Sequence, residues 1–442
     1  MRVGGIIVLF AEFPLFVWLL GSRQTQRWAI IAMGALPILN VPWHLNAALI
    51  NWATWPGHTK GLLLTLLDPL ALAVCVHLRS GRRLPPLSWA FAVYLVSLIP
   101  GMFSGSLFQP AFFFFFQTVR VGIFSYACYL VVLNGGLVHL ARGMAIAVVL
   151  NAFVALEAAL SGVAQAAGML GHQNLTGMAV NICVPLLVAL GLRKRGGFFL
   201  FAVVAAGASA VAGGSRATII FYGVAVAVTL VGSSIATPTS RKTALVACGL
   251  LALLSASPFA VHKLGERAGL LTPDLERVAF ERAAQMMIKD HPWGVGINQY
   301  VVVANTQGYM SRAGVRWGAG ARSTNVHNFY LLARTEGGLS ELLGVLFWLI
   351  LPLLVAVILA FRKTTPLRDV CVAVAAALAV TAAHNRYEWI FVTMVPQYLI
   401  ASMIGILAAI QVAAKASPNS TRRLGEGKAN GVEAEAAEPV PA

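Results

Sequence analysis

Three kinds of residue in this chain could do chemistry: arginines beside apolar runs, a histidine where a polar segment meets one, and charges within the runs. Arg216 sits in Gly213-Gly214-Ser215-Arg216-Ala217, between two apolar stretches. A guanidinium there is either a snorkelling side chain at a helix end or a phosphate ligand, whose oxygens match its fork of N–H groups. Arg277 and Arg282 lie five residues apart on a helical pattern, so they point about 140° apart and do not grip one ligand as a simple pair. Glu276 and Glu281 flank Arg277, which therefore also reads as a surface ion-pair residue. His327 has Asn328 beside it. Imidazole titrates near neutrality and is the usual base for a hydroxyl nucleophile, while a capping or interfacial histidine is the competing reading.

Ionisable groups inside apolar segments are costly, and each is a functional candidate on that ground. Asp68, Arg120, Glu157 and the cluster His384-Asn385-Arg386-Tyr387-Glu388 qualify. Arg120 with Glu157 reads equally as a buried pair that fixes helix packing, and Asp68 as a structural residue or weak contributor to a site, not a catalyst. Other chemistries lack their residues. The four aspartates form no DxD, the spacing with which many sugar transferases hold a metal. Walker A, HExxH and GxSxG patterns are absent, which argues against nucleotide hydrolysis, zinc proteolysis and ordinary serine hydrolysis. Five cysteines, Cys75, Cys128, Cys183, Cys248 and Cys371, fall in apolar runs without CxxC spacing, so neither a disulfide framework nor a zinc site is expected.

The elements that must position these residues are membrane helices. The 442 residues are 58% apolar and 11% charged, with a mean hydropathy of +0.78, far from a soluble composition. A formal charge of +16 is then a topology signal and an affinity for anionic headgroups; the basic residues are scattered, so no nucleic-acid partner is expected. The first run reaches Leu20 without a small-x-small site, so no cleaved signal peptide is expected.

Runs of about 17–25 apolar residues can span a bilayer as helices. Candidates lie near 3–21, 28–50, 61–78, 87–104, 111–133, 141–162, 175–192, 198–213, 217–235, 243–261, 338–361, 367–384 and 391–413. The expectation is an all-α polytopic protein of 12 or 13 transmembrane helices. Connections holding Arg79, Arg82 and Arg83, Arg142, Arg193 to Arg195, Arg241 and Lys242, and Arg362, Lys363 and Arg368 belong in the cytoplasm by the positive-inside rule. The chain thus divides into an N-terminal bundle (1–261), a large, partly helical outer loop (262–337), C-terminal spans (338–413) and a disordered cytoplasmic tail (414–442). In the loop, Thr272-Pro273-Asp274 marks a helix start, and Leu275, Val278, Ala279, Met286 and Met287 fall toward one side of it. His291-Pro292 stops that helix. A second is expected from near Asn325 through His327 into the span at 338.

Three patterns together resemble the bacterial O-antigen ligase and polymerase superfamily. They are Gly213-Gly214-Ser215-Arg216-Ala217-Thr218; Arg277-Val278-Ala279-Phe280 followed by His291-Pro292-Trp293-Gly294-Val295-Gly296; and Asn325-Val326-His327-Asn328-Phe329-Tyr330-Leu331 followed by Glu336-Gly337-Gly338. His172-Gln173-Asn174-Leu175-Thr176-Gly177 is a fourth, weaker match. The resemblance covers most of the chain, with spans, outer loop and late histidine in the family's order. It implies a GT-C-like glycosyltransferase fold in the Gram-negative inner membrane, its active site facing the periplasm. It also implies transfer of a glycan from undecaprenyl diphosphate, with lipid A–core oligosaccharide as the ligase's acceptor and a second lipid-linked repeat as the polymerase's. A lipid-linked sugar transporter is the rival of another class.

On that resemblance His327 is the catalytic base, Arg216, Arg277 and Arg282 are donor-diphosphate ligands, and Asn174 and Asn328 are supports. The chemistry fits those groups. A diphosphate leaves as a stable anion and needs charge stabilisation, which arginines supply without a metal or other cofactor. Direct attack on the anomeric carbon inverts its configuration. The outer loop 262–326 carries eight Lys and Arg against five acids, which favours a phosphate-rich lipid A–core acceptor and hence the ligase.

Overall fold

A computed structural model describes residues 2–78, 84–265 and 272–415. Arg79, Arg82 and Arg83, Arg267, and the expected tail with Arg422, Arg423 and Lys428 lie outside the described residues. The chain is an all-α protein apart from one two-stranded hairpin among the described residues. It opens with α1 (Arg2–Leu20), α2 (Arg23–Leu39), the strands β1 (Asn46–Asn51) and β2 (Gly61–Thr65), and a short α3 (Leu67–His77). Seven helices follow: α4 (Ser88–Ser104), α5 (Phe108–Leu133), α6 (Leu137–Leu160), α7 (Gln173–Gly191), α8 (Gly197–Gly213), α9 (Arg216–Ala236) and α10 (Ser240–Gly265). The expected loop holds α11 (Thr272–Asp290), α12 (Tyr300–Thr306), α13 (Tyr309–Ala313), α14 (Ala319–Arg322) and α15 (Phe329–Glu336). The last three are α16 (Gly338–Phe361), α17 (Arg368–His384) and α18 (Met394–Ala413).

Among the described residues six helices, α5, α6, α7, α9, α16 and α18, are long and apolar enough to cross a membrane, as judged by length and composition. α7 and α18 are almost wholly enclosed by the others, which makes them the centre of the bundle. Between membrane helices the driving force is close packing, since lipid tails are as apolar as leucine. α2 and α6 show how this sequence achieves it. A Cβ on Gly34 would strike the backbone of Leu140, and one on Gly143 would strike the backbone of Ile31, so reciprocal glycines set the approach.

Three expectations about elements are overturned. The run 28–50 is not one span: α2 ends at Leu39, and residues 46–65 form an antiparallel hairpin pairing Asn46 with Thr65 and Asn51 with Gly61. The run 61–78 yields β2 and an α3 of 11 residues, which rises only about 16 Å, half a bilayer core. Tertiary bonding is the reason. Trp55 Nε1 donates to the Asn298 carbonyl (3.0 Å), and Thr59 N donates to Asn298 Oδ1 (3.0 Å), so the hairpin is built against the loop. Thirdly, no helix runs through His327. Asn328 Oδ1 accepts from Tyr330 N and Leu331 N, capping α15 one residue later, and a break at Gly337, followed by Gly338 at φ 74°, separates α15 from α16.

Buried charges are paired at separate places. Arg120 bonds Asp68, not Glu157: Arg120 Nε donates to Asp68 Oδ1 at 2.8 Å, and Thr65 N and Oγ1 donate to Oδ2 at 2.6 and 3.0 Å. Glu157 is exposed near the end of α6. An Arg–carboxylate pair so thoroughly bonded is a structural clamp joining α3 to α5. At the start of α17, buried Asp369 takes Arg193 (3.1 Å) and Lys242 (3.4 Å), which brings two of the basic connections to one end of the bundle. Fifteen residues later, about 22 Å along the helix axis, α17 ends at His384 beside the candidate site.

Candidate functional site

The site is assembled at helix termini. Gly214 adopts φ 59° to end α8, Ser215 turns the chain, and Arg216 opens α9 with its side chain exposed. His172 caps α7, its Nδ1 accepting from Asn174 N at 3.2 Å. α11 packs against α13 and α15. Its buried face is Ala279, Phe280, Ala283, Ala284 and Met287, whereas Leu275 and Val278, expected on that face, are exposed. Small alanines let α11 approach closely, a preference that counting apolar residues misses. His327 and Asn328 lie in the turn before α15, whose preceding chain includes the buried Asn325.

Arg216, Arg277 and His327 line one cavity of about 660 Å³, together with His172, Asn174, Glu276, Phe280, Tyr387 and Glu388. Three separate sequence patterns therefore converge. Arg282 does not line it: five residues beyond Arg277, it is exposed on the other side of α11. Asn328 acts as the cap of α15 and is buried. Asn174 does reach the site, through Glu388.

Glu388 is the residue that the sequence flagged only as part of an unassigned cluster. It lies just past α17, is 2% exposed, and organises everything around it. Its Oε1 accepts from Asn174 Nδ2 (2.6 Å) and Arg277 Nη2 (3.0 Å), while Oε2 lies 3.2 Å from His327 Nδ1. Arg277 therefore pairs with Glu388, and the neighbour Glu281 pairs with Arg386 at 2.6 Å. Burial pushes the Glu388 carboxyl up, but the hydrogen bond and charge of His327, with Arg277 and His384, outweigh it and hold the group below the ordinary 4.5. An ionised carboxylate only accepts, so His327 Nδ1 must be the donor. In the neutral ring Nε2 is then the bare nitrogen, able to take a proton, and the carboxylate stabilises the imidazolium that results. No three His, Cys, Asp or Glu side chains among the described residues group as metal ligands.

The other two motif elements prove to be scaffolding. Val295 N and Gly296 N donate to the Thr335 and Glu336 carbonyls, both at 2.9 Å, stitching the His-Pro-Trp-Gly-Val-Gly turn to the Glu-Gly-Gly turn. Gly294 has φ 96°, and a Cβ there would strike the Glu336 carbonyl. Buried Glu336 takes Asn298 N (2.8 Å), Tyr300 N (2.9 Å) and His58 Nε2 (3.1 Å). His58 thus ties the β-hairpin to the same knot, a role its sequence position gave no sign of.

No protein-family model matches the chain, and a search of curated proteins finds no significant relative.

Proposed function

We propose that the chain is a glycosyltransferase that uses a lipid-diphosphate-linked glycan as donor, an O-antigen ligase of the Gram-negative inner membrane. The observation that carries the reading is the convergence of Arg216, Arg277 and His327 on one cavity, with an ionised carboxylate on His327 Nδ1. The acceptor hydroxyl gives its proton to His327 Nε2 as its oxygen bonds the anomeric carbon. The carbon–oxygen bond to the diphosphate breaks, and its electron pair leaves with undecaprenyl diphosphate. Arg216 and the remaining N–H groups of Arg277 offset that charge. No metal or other cofactor takes part in this scheme. Configuration inverts.

The cavity's formal charges balance, two arginines against Glu276 and Glu388. Diphosphate binding on this reading relies on aimed N–H donors, not on a broad positive field. Among the described residues twelve helices besides α11 have 17 or more residues, which supports the twelve-span count of a GT-C-like fold over thirteen. The ends marked by Arg193, Lys242 and Arg368 are then cytoplasmic and the cavity periplasmic. Lipid A–core is the proposed acceptor. The outer loop's basic residues give it modest support, because Arg322 is engaged internally with Ser311 Oγ and the Val315 carbonyl.

Purified protein given undecaprenyl-diphosphate-linked O-antigen and lipid A–core should form product in detergent, where transport is meaningless. Failure there, with movement of lipid-linked sugar across proteoliposomes, would replace the enzyme by a transporter. A deletion strain decides the acceptor. Unsubstituted core with full-length O-antigen left on undecaprenyl diphosphate indicates the ligase, and core bearing a single O-unit indicates a polymerase.

A further inference from the structure

A second hollow, of about 270 Å³, adjoins the main cavity and is lined by Arg277, Glu281, His327, Arg386 and Tyr387. Arg277, His327 and Tyr387 belong to both hollows, so His327 stands on their shared wall. Arg216 lines the larger one only. Displacement at an anomeric carbon brings the incoming oxygen in opposite the leaving group, with the base beside the incoming oxygen. If the donor diphosphate lies at Arg216, the acceptor reaches His327 from the smaller hollow.

We propose that this smaller hollow is a saccharide subsite, which binds the sugar whose hydroxyl is to be glycosylated; the assignment of that sugar as acceptor rests on the function proposed above. Three features suit a sugar. Tyr387 is half exposed and offers a ring face for the apolar C–H face of a pyranose. Arg386 Nη1 donates to Glu281 Oε1, and this pair joins α11 to the connection after α17 while keeping 54% and 28% side-chain exposure. Its remaining N–H donors and second carboxylate oxygen match adjacent hydroxyls, which both donate and accept. The charges also suit a sugar. Glu281 and Glu388 offset Arg386 and Arg277, so a neutral polyol meets donors and acceptors of both signs in the hollow.

The test measures transfer with donor and acceptor varied separately, in detergent-solubilised protein. Arg386→Ala, at a residue that lines the smaller hollow alone, should raise the KM for lipid A–core about tenfold or more and leave the donor KM unchanged, and Tyr387→Ala should raise the acceptor KM as well, with Tyr387→Phe close to wild type. An unaltered donor KM shows that the variant is folded. Binding of delipidated core oligosaccharide without donor, followed by saturation-transfer NMR, should be lost in Arg386→Ala. An unchanged acceptor KM in both alanine variants, or a raised donor KM in its place in Arg386→Ala, overturns the subsite. Absence of transfer by the wild type defeats the proposed function instead, and oligosaccharide binding then judges the subsite alone: loss in Arg386→Ala supports it, and no binding by the wild type overturns it.

Discussion

His327 Nδ1 faces Glu388 Oε2 at 3.2 Å, and that contact sets which nitrogen of the imidazole is basic. The carboxylate comes from the connection after α17 and the histidine from the turn before α15, 61 residues earlier. Backbone bonds hold the two segments in register: Phe329 N donates to the Asn385 and Glu388 carbonyls, at 2.9 and 3.2 Å. The pair is thus positioned by main chain as well as by side chain.

Removing the carboxylate charge while keeping its shape tests that arrangement. Glu388→Gln should lower kcat by about 10²–10⁴-fold, the range seen when a histidine base loses the group that fixes its tautomer. Donor affinity should hold or rise, because Arg277 is released from a competing anion. Steady-state kinetics with both substrates varied gives the split. A rise in donor KM with kcat intact would assign Glu388 to binding rather than to orientation.

His327→Ala should lower transfer by about 10²–10⁴-fold while leaving membrane insertion intact, since the ring lines a cavity and is not packed in the core. Retention of more than about a tenth of wild-type transfer removes it from the base role.

For the donor, Arg216→Lys keeps the charge but loses the fork, and Arg277→Ala loses both. Binding of undecaprenyl-diphosphate glycan should weaken in each, and Arg282→Ala should bind like wild type because Arg282 lies outside the cavity. Equal donor affinity in all three would return Arg216 to a snorkelling role and Arg277 to an ion-pair role.

How much of this was legible depends on the range of each interaction. Composition and apolar length located the helices from α4 onward, because bilayer burial is a local property of each run. They failed at 40–66, where apolar residues Leu49, Ile50 and Leu62 to Leu64 look helical by length, yet Asn298, far along the chain, draws the segment into a hairpin. Arg216, Arg277 and His327 were visible as residue types in recognisable patterns. Glu388 was visible only as a costly charge, since its partners Asn174, Arg277 and His327 lie 61 to 214 residues away. Nothing near His58 or Glu336 in the sequence signals that they meet across 278 residues.

That long-range contact has a stability consequence. Glu336→Ala strands His58 and the buried Asn298 and Tyr300 N–H groups, at a cost on the order of 3–5 kcal/mol. The melting midpoint in detergent should fall markedly, with Glu336→Gln falling less, because one amide oxygen still accepts. An unchanged midpoint for the alanine variant would mean that the hairpin and the loop are not held together through Glu336.

Acid sensitivity supplies the last test. The Glu388 carboxyl is held below its ordinary 4.5 in the folded protein, so the unfolded chain binds that proton more readily. Its contribution to stability is therefore fully present above about pH 4.5 and lost as pH falls through the folded value. Between pH 5 and 8 the carboxylate stays ionised, and its protonation does not limit transfer in that window. Wild type should lose thermal stability more steeply than Glu388→Gln as pH drops below 4.5, because the variant has no carboxyl to protonate there. Parallel melting curves against pH for the two proteins would show that Arg277 and His327 do not hold the Glu388 carboxyl below its ordinary value.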